Sequence, residues 1–174
     1  MTAESELPPA VVIERLHPDA LIRRRATADS AGHDLAACLH LDALRAVREG
    51  EPLDLPVVRE AGGCWVMLPP HTRALVPLGF KARLPRGYEA QVRPRSGTSF
   101  RKGLTIPNAP GTIDADFPDE WMVIVGNPGD VPLRIDHGER IAQMVLHRYA
   151  VLPFEEGTVS RSTERAGGFG STGT

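Results

Sequence analysis

The sequence predicts an all-β fold, a sandwich or barrel of short strands. Sixteen prolines and seventeen glycines are scattered through 174 residues and leave little room for long helices. Between them lie short runs rich in β-branched and aromatic residues, several of them alternating in polarity, as in Tyr88-Glu89-Ala90-Gln91-Val92-Arg93. Turn-forming tetrads separate these runs, Asn127-Pro128-Gly129-Asp130 and Asp136-His137-Gly138-Glu139 among them. Short strands punctuated in this way indicate layered or closed β architecture.

In chain order, the expected strands are Val11–Leu16, Cys64–Leu68, Arg73–Phe80, Tyr88–Arg93, Trp121–Val125, Val131–Ile135 and Ile141–Tyr149. One segment reads differently. Leu41, Leu44 and Val47 recur at helical spacing with charges between them, which predicts a short amphipathic helix over 41–48, followed by a polar loop to about Gly63. The length suits one domain, taken as residues 1–164, with residues 165–174 as a flexible arm.

Composition excludes several classes of function. A net charge of −2 offers no bulk attraction to nucleic acid or to anionic membranes. Of the 20 basic residues only Lys81 and Lys102 are lysines. Cys38 and Cys64 are the only cysteines, too few for a disulfide framework and without zinc spacing. The N-terminal MTAESELPPAVVIERL lacks the basic start and apolar run of a signal peptide, and no run approaches a membrane span. A soluble, cytoplasmic protein is expected.

The residues with chemical potential fall in ordered groups. Arg93-Pro94-Arg95-Ser96-Gly97 combines guanidinium, hydroxyl and glycine, a set that can grip a phosphate but that also suits an exposed polar turn. Asn108-Ala109-Pro110-Gly111 leads to Thr112-Ile113-Asp114-Ala115-Asp116-Phe117. In a strand, Asp114 and Asp116 would face the same side. One of two close carboxylates can act as general base toward water, and carboxylates can hold hydrated Mg²⁺; a solvated turn is the plainer alternative. Ser30-Ala31-Gly32-His33-Asp34-Leu35 places an acid near a glycine. Gly138-Glu139-Arg140-Ile141-Ala142-Gln143-Met144 places Gln143 in a strand, where it is phosphate-facing or a satisfied edge residue, while Glu139 and Arg140 could be a surface ion pair. At the C-terminus, Arg165-Ala166-Gly167-Gly168-Phe169-Gly170-Ser171-Thr172-Gly173-Thr174 is too glycine-rich to order alone. It carries an arginine and hydroxyls suited to phosphate, and a ring able to stack on a base.

Taken in order, SAGHDL, RPRSG, NAPGTIDADF, GERIAQM and GGFGSTG resemble the five motifs of the trimeric dUTP diphosphatases (dUTPases). The resemblance runs from about Ser30 to the C-terminus, with an insertion at about His40–Trp65. It implies a distorted jelly-roll or β-barrel-like domain, a homotrimer, and a C-terminal arm exchanged between subunits to close over dUTP. It implies Mg²⁺-assisted hydrolysis of dUTP to dUMP and pyrophosphate, with no nucleic-acid or membrane partner.

The resemblance also implies individual roles. Asp114 matches the acid that activates the attacking water. Ser96 matches the serine at the bridging region of the α- and β-phosphates, flanked by Arg95 and Gly97. Asp34 matches the acid that supports the metal's water shell. Gln143 matches a phosphate-contacting glutamine. Asn108 sits where the family reads the uracil edge, in a hairpin continuing through Gly111, Thr112, Ile113 and Asp116. Phe117 stands where tyrosine usually packs on the deoxyribose. Phe169 matches the ring that stacks on uracil, next to Gly170, and Arg165, Ser171 and Thr172 match the γ-phosphate grip.

The chain departs from the family pattern in places. Pro118-Asp119 replaces the usual Arg-Gly, His33 a common tyrosine, and only Ala166 separates Arg165 from the paired glycines. The insertion reads as decoration of a surface loop, or as an added subunit or partner contact. A dCTP deaminase would share fold and motifs, but Ile124 stands where that family's catalytic glutamate belongs, and isoleucine moves no proton. A non-catalytic regulatory protein on the same fold would be expected to have lost Asp114, Ser96 or the arm, all of which are present.

Overall fold

The computed structural model describes residues 10–23 and 25–160. Among these residues, twelve strands and one helix occur in the order β1 (Val12–Arg15), β2 (Gly32–Ala36), β3 (Ala43–Arg48), β4 (Glu51–Glu60), β5 (Gly63–Leu68), β6 (Thr72–Pro77), β7 (Phe80–Arg83), β8 (Tyr88–Arg93), α1 (Ser96–Lys102), β9 (Gly111–Ile113), β10 (Met122–Asn127), β11 (Leu133–Asp136) and β12 (Arg140–Arg148). All strand pairs are antiparallel. A six-stranded sheet runs β10-β6-β3-β4-β5-β11, a four-stranded sheet runs β2-β12-β8-β9, and β1 pairs with β7.

One core joins the two larger sheets. Leu35, Ala90, Val92, Ile141 and Met144 come from the four-stranded sheet, and Leu44, Val66, Leu68, Val76, Val123, Val125 and Ile135 from the six-stranded one. Both sheets show the alternation of a surface buried on one side: in β10, Val123 and Val125 are buried while Met122 and Ile124 are half-buried. The all-β, jelly-roll-like architecture expected from the sequence is the one observed.

The expected helix at 41–48 is instead a strand. Leu44 and Ala46 enter the core, whereas Ala43 and Val47 are half-buried and Arg45 is exposed, a period of two. Leu41, the first residue of the apparent helical stripe, is 38% exposed and lies before the strand. Pairing with β4 on one side and β6 on the other supplies the backbone partners that decide for strand over a weak local helical pattern. The expected polar loop is β4, joined to β3 by the two-residue turn Glu49-Gly50, both at positive φ (54° and 92°). That is the handedness a tight hairpin needs. The inserted segment is therefore no surface loop; β3 and β4 lie inside the six-stranded sheet.

The expected strand Arg73–Phe80 breaks into β6 and β7 at Leu78-Gly79. Gly79 has φ 74°, and a Cβ there would come within 2.6 Å of Cys38 Sγ and 2.7 Å of Ala20 Cβ. Both predicted turns are present. At the first, the buried Asn127 amide donates to the carbonyls of Val131 (2.8 Å) and Leu68 (3.1 Å), and its oxygen accepts from Gly129 N–H (3.1 Å).

Candidate active site

β12 is the hub of the motif residues singled out in the sequence, because it pairs with β2 on one edge and β8 on the other. Gln143 lies opposite Asp34 across one ladder and Arg93 across the other. Its side-chain amide donates to Pro94 O at 2.9 Å. Gly32 leaves space for it: a Cβ there would sit 2.5 Å from Gln143 Oε1.

Pro94 follows β8, and Arg95 is the extended N-cap residue of α1 (φ −95°, ψ 129°). Ser96 and Gly97 form the first turn, where helix geometry leaves main-chain N–H groups without intrahelical acceptors. This helix was not expected from the sequence, which reads as a polar turn there. Its signals lie at the other end: Arg101 and Lys102 in the last turn and Gly103 as a left-handed C-cap (φ 71°).

Arg95 Nε donates to Asp34 Oδ1 at 2.6 Å, and its Nη1 to Thr98 Oγ1 at 3.3 Å. Arg140 Nη1 donates to the other Asp34 oxygen at 3.0 Å. Partial burial raises the cost of the Asp34 charge, but the two arginine hydrogen bonds and their positive charges outweigh it and hold the carboxyl below its ordinary pKa. Two guanidinium groups around one carboxylate leave net positive charge and unused donors, a cradle for an anion. The pair considered between Glu139 and Arg140 does not form. Arg140 turns to Asp34, and Glu139 accepts from Lys102.

A second group forms around β9. The Asn108 side chain lies over Gly111, where a Cβ would be 2.7 Å from its Nδ2. Asn108, Gly111, Thr112, Ile113, Asp114 and Phe117 line one cavity of about 410 Å³, whose other walls include Leu75, Met122, Ile124 and Arg45. Asp114 follows the end of β9 and is exposed. Phe117 N–H donates to Asp114 O at 3.3 Å, so acid and ring sit at the two ends of one turn. Asp116 is not on a shared strand face with Asp114. The strand ends at Ile113, and the turn carries Asp116 to a separate hollow of about 370 Å³ with Glu14, Lys81 and Phe117.

The sequence-predicted residues thus fall into two groups within one chain. Asp34, Arg95 and Gln143 meet at the cradle beside Ser96 and Gly97. Asn108, Gly111, Thr112, Ile113, Asp114 and Phe117 meet in the cavity, whose walls contain none of the cradle residues. Arg165, Phe169, Gly170, Ser171 and Thr172 lie outside the described residues. Sequence reasoning missed Arg140, whose role appears only through the β12–β2 register, and Arg45, which reaches the cavity from a strand read as helix.

Comparison with known proteins gives one family. The dUTPase family profile matches residues 53–173. A deoxyuridine 5'-triphosphate nucleotidohydrolase of Rhizobium leguminosarum bv. trifolii is 42% identical over 154 residues, covering 81% of this chain and 97% of that protein. Among solved structures, the Staphylococcus bacteriophage 80alpha dUTPase with dUPNHPP superposes with a TM-score of 0.69 at 21% identity, covering 95% of this chain and 99% of that one. The Streptococcus mutans dUTPase superposes with a TM-score of 0.60 at 22% identity, covering 82% and 98%. At these identities the structural matches speak for the fold.

Proposed function

The chain belongs to the dUTPase family, and on that premise we propose that it hydrolyses dUTP to dUMP and pyrophosphate. The observation that carries this reading is the cavity in which Asn108, Asp114 and Phe117 converge. It offers an amide to a base edge, a ring to a sugar and an exposed carboxylate to a water.

In the proposed reaction, Asp114 orients a water and takes its proton as the oxygen bonds to the α-phosphorus. The bond to the bridging oxygen breaks, and pyrophosphate leaves with the electron pair. Arg95, Ser96, Gly97 and Gln143 hold the phosphates in line, so catalysis is positioning and charge stabilisation. Arg165, Ser171 and Thr172 grip the γ-phosphate, with Phe169 stacked on uracil and Gly170 permitting its approach. Closure of this arm excludes bulk water. The activity would limit uracil in DNA and supply dUMP for dTTP synthesis.

The donor set fits Mg²⁺. Among the described residues no cluster of three or more His, Cys, Asp or Glu could hold a metal. The cradle offers one carboxylate, Asp34, with an arginine on each oxygen. That suits an ion held by substrate phosphates and its own waters, with Asp34 supporting the water shell. When bound, the ion neutralises charge on the pyrophosphate leaving group.

A homotrimer with exchanged arms is part of the proposal. The separation of cradle and cavity within one chain supports a site completed between subunits. The exposed run Val151 (82%), Leu152 (74%) and Phe154 (103%) supports an arm that packs on another copy. No helix among the described residues is long and apolar enough to cross a membrane. A cytoplasmic location remains part of the same reading. Ile124 in the cavity wall argues against deamination, since its side chain cannot move a proton.

The test is a panel of dUTP, dCTP, dTTP, UTP and dATP with Mg²⁺, products separated chromatographically. Turnover of dUTP alone, to dUMP and pyrophosphate, is expected. Absence of dUTP turnover overturns the proposal, release of dUTP from dCTP overturns the argument from Ile124, and turnover of UTP traces to Phe117.

A further inference from the structure

The inserted hairpin puts a cation into the cavity wall. Leu44 and Ala46 of β3 are buried, so Arg45 between them projects to the outer face of the sheet. The β3–β6 register pairs Ala46 with Ala74, and one residue further places Arg45 beside Leu75, which itself pairs with Ile124. Arg45, Leu75 and Ile124 form a row across three strands, and all three line the cavity that holds Asn108 and Asp114. Acidic residues line it too, yet among the described residues Arg45 has no ion pair and its side chain makes no hydrogen bond.

We propose that Arg45 is a specificity-determining residue, whose guanidinium donates to the O4 carbonyl of the uracil ring. A guanidinium has five donors and no acceptor. At that edge uracil presents a carbonyl oxygen, whereas cytosine presents an amino group that can only donate. The first is accepted, and the second leaves two donors facing each other, the arrangement that gives large discrimination. The proposal rests on reading this cavity as the base site. It goes beyond the family motifs, none of which includes β3.

The experiment is titration calorimetry of dUMP and dCMP against the full chain as wild type, R45K and R45M, with dUTP turnover measured in parallel. Expected is a dUMP affinity at least tenfold weaker in R45M, with dCMP affinity unchanged or tighter and R45K between the two. Thermal melts of both variants show that they are folded, and R45K carries the test should R45M not fold. An unchanged dUMP-to-dCMP ratio in the folded variant overturns the role of Arg45 alone. A wild type that turns over no dUTP overturns the proposed function and this inference with it.

Discussion

Arg95, two residues beyond β8, donates to Asp34 of β2 at 2.6 Å although β2 and β8 never pair with each other. β2 and β8 flank β12 from opposite edges, and the long arginine side chain, starting from the N-cap of α1, spans the gap. With Arg140 on the second oxygen, Asp34 ties together β2, β12 and the residue that opens α1.

Asp34→Asn should therefore loosen the cradle. The loss of two charge-assisted hydrogen bonds at a partly buried carboxylate should cost about 1–3 kcal/mol at neutral pH. The Asp34 pKa is lowered in the folded state, so its stabilising contribution is present above the unfolded value of 3.8 and lost as pH falls through the lower folded value. Melting temperatures of the two proteins from pH 7 to pH 2 should differ at the top of that range and converge at the bottom. A constant difference would contradict the assigned cause.

Asp114→Asn should separate binding from turnover. The amide keeps the size of the side chain and cannot take a proton. The dUTP affinity should stay within a few-fold of wild type while kcat falls by about 10²–10⁴-fold. Equilibrium binding of dUTP beside steady-state kinetics checks both halves.

Gly111→Ala should act through Asn108. The new Cβ would come within 2.7 Å of Asn108 Nδ2 and push the amide off its position. The expected result is a KM for dUTP raised about tenfold, as for the loss of one well-made polar contact, with a smaller change in melting temperature. A lowered kcat at unchanged KM would place Asn108 elsewhere in the reaction.

Gly79→Ala should destabilise the fold with no direct effect on either part of the site. The substitution combines a left-handed backbone (φ 74°) with a Cβ 2.6 Å from Cys38 Sγ and 2.7 Å from Ala20 Cβ. Strain and overpacking together should cost about 2–5 kcal/mol, measured by urea unfolding.

Thiol chemistry should distinguish the two cysteines. Cys38 is fully buried, and that burial, with the charges of Glu120 and Asp19, pushes its thiol up to about 11. At pH 8 it should resist alkylation in the folded protein while the half-buried Cys64 reacts first. Both should react in urea, as mass spectrometry of the labelled peptides would show.

The sequence by itself determined the all-β class, the family and the order of the motifs. Those signals are local: proline and glycine punctuation, alternation within Tyr88–Arg93, and short ordered motifs whose residue types carry their own chemistry. The tertiary structure alone decided the rest. Residues 43–48 became a strand because β4 and β6 supply their backbone partners, and no periodicity within six residues can register partners elsewhere in the chain. The Asp34–Arg140 contact, 106 positions apart, follows from the β12–β2 ladder, and Arg45 joined the cavity because its strand entered the six-stranded sheet. A local pattern states what a segment can form, and the energy of pairing and burial against distant segments selects which of those forms the chain adopts.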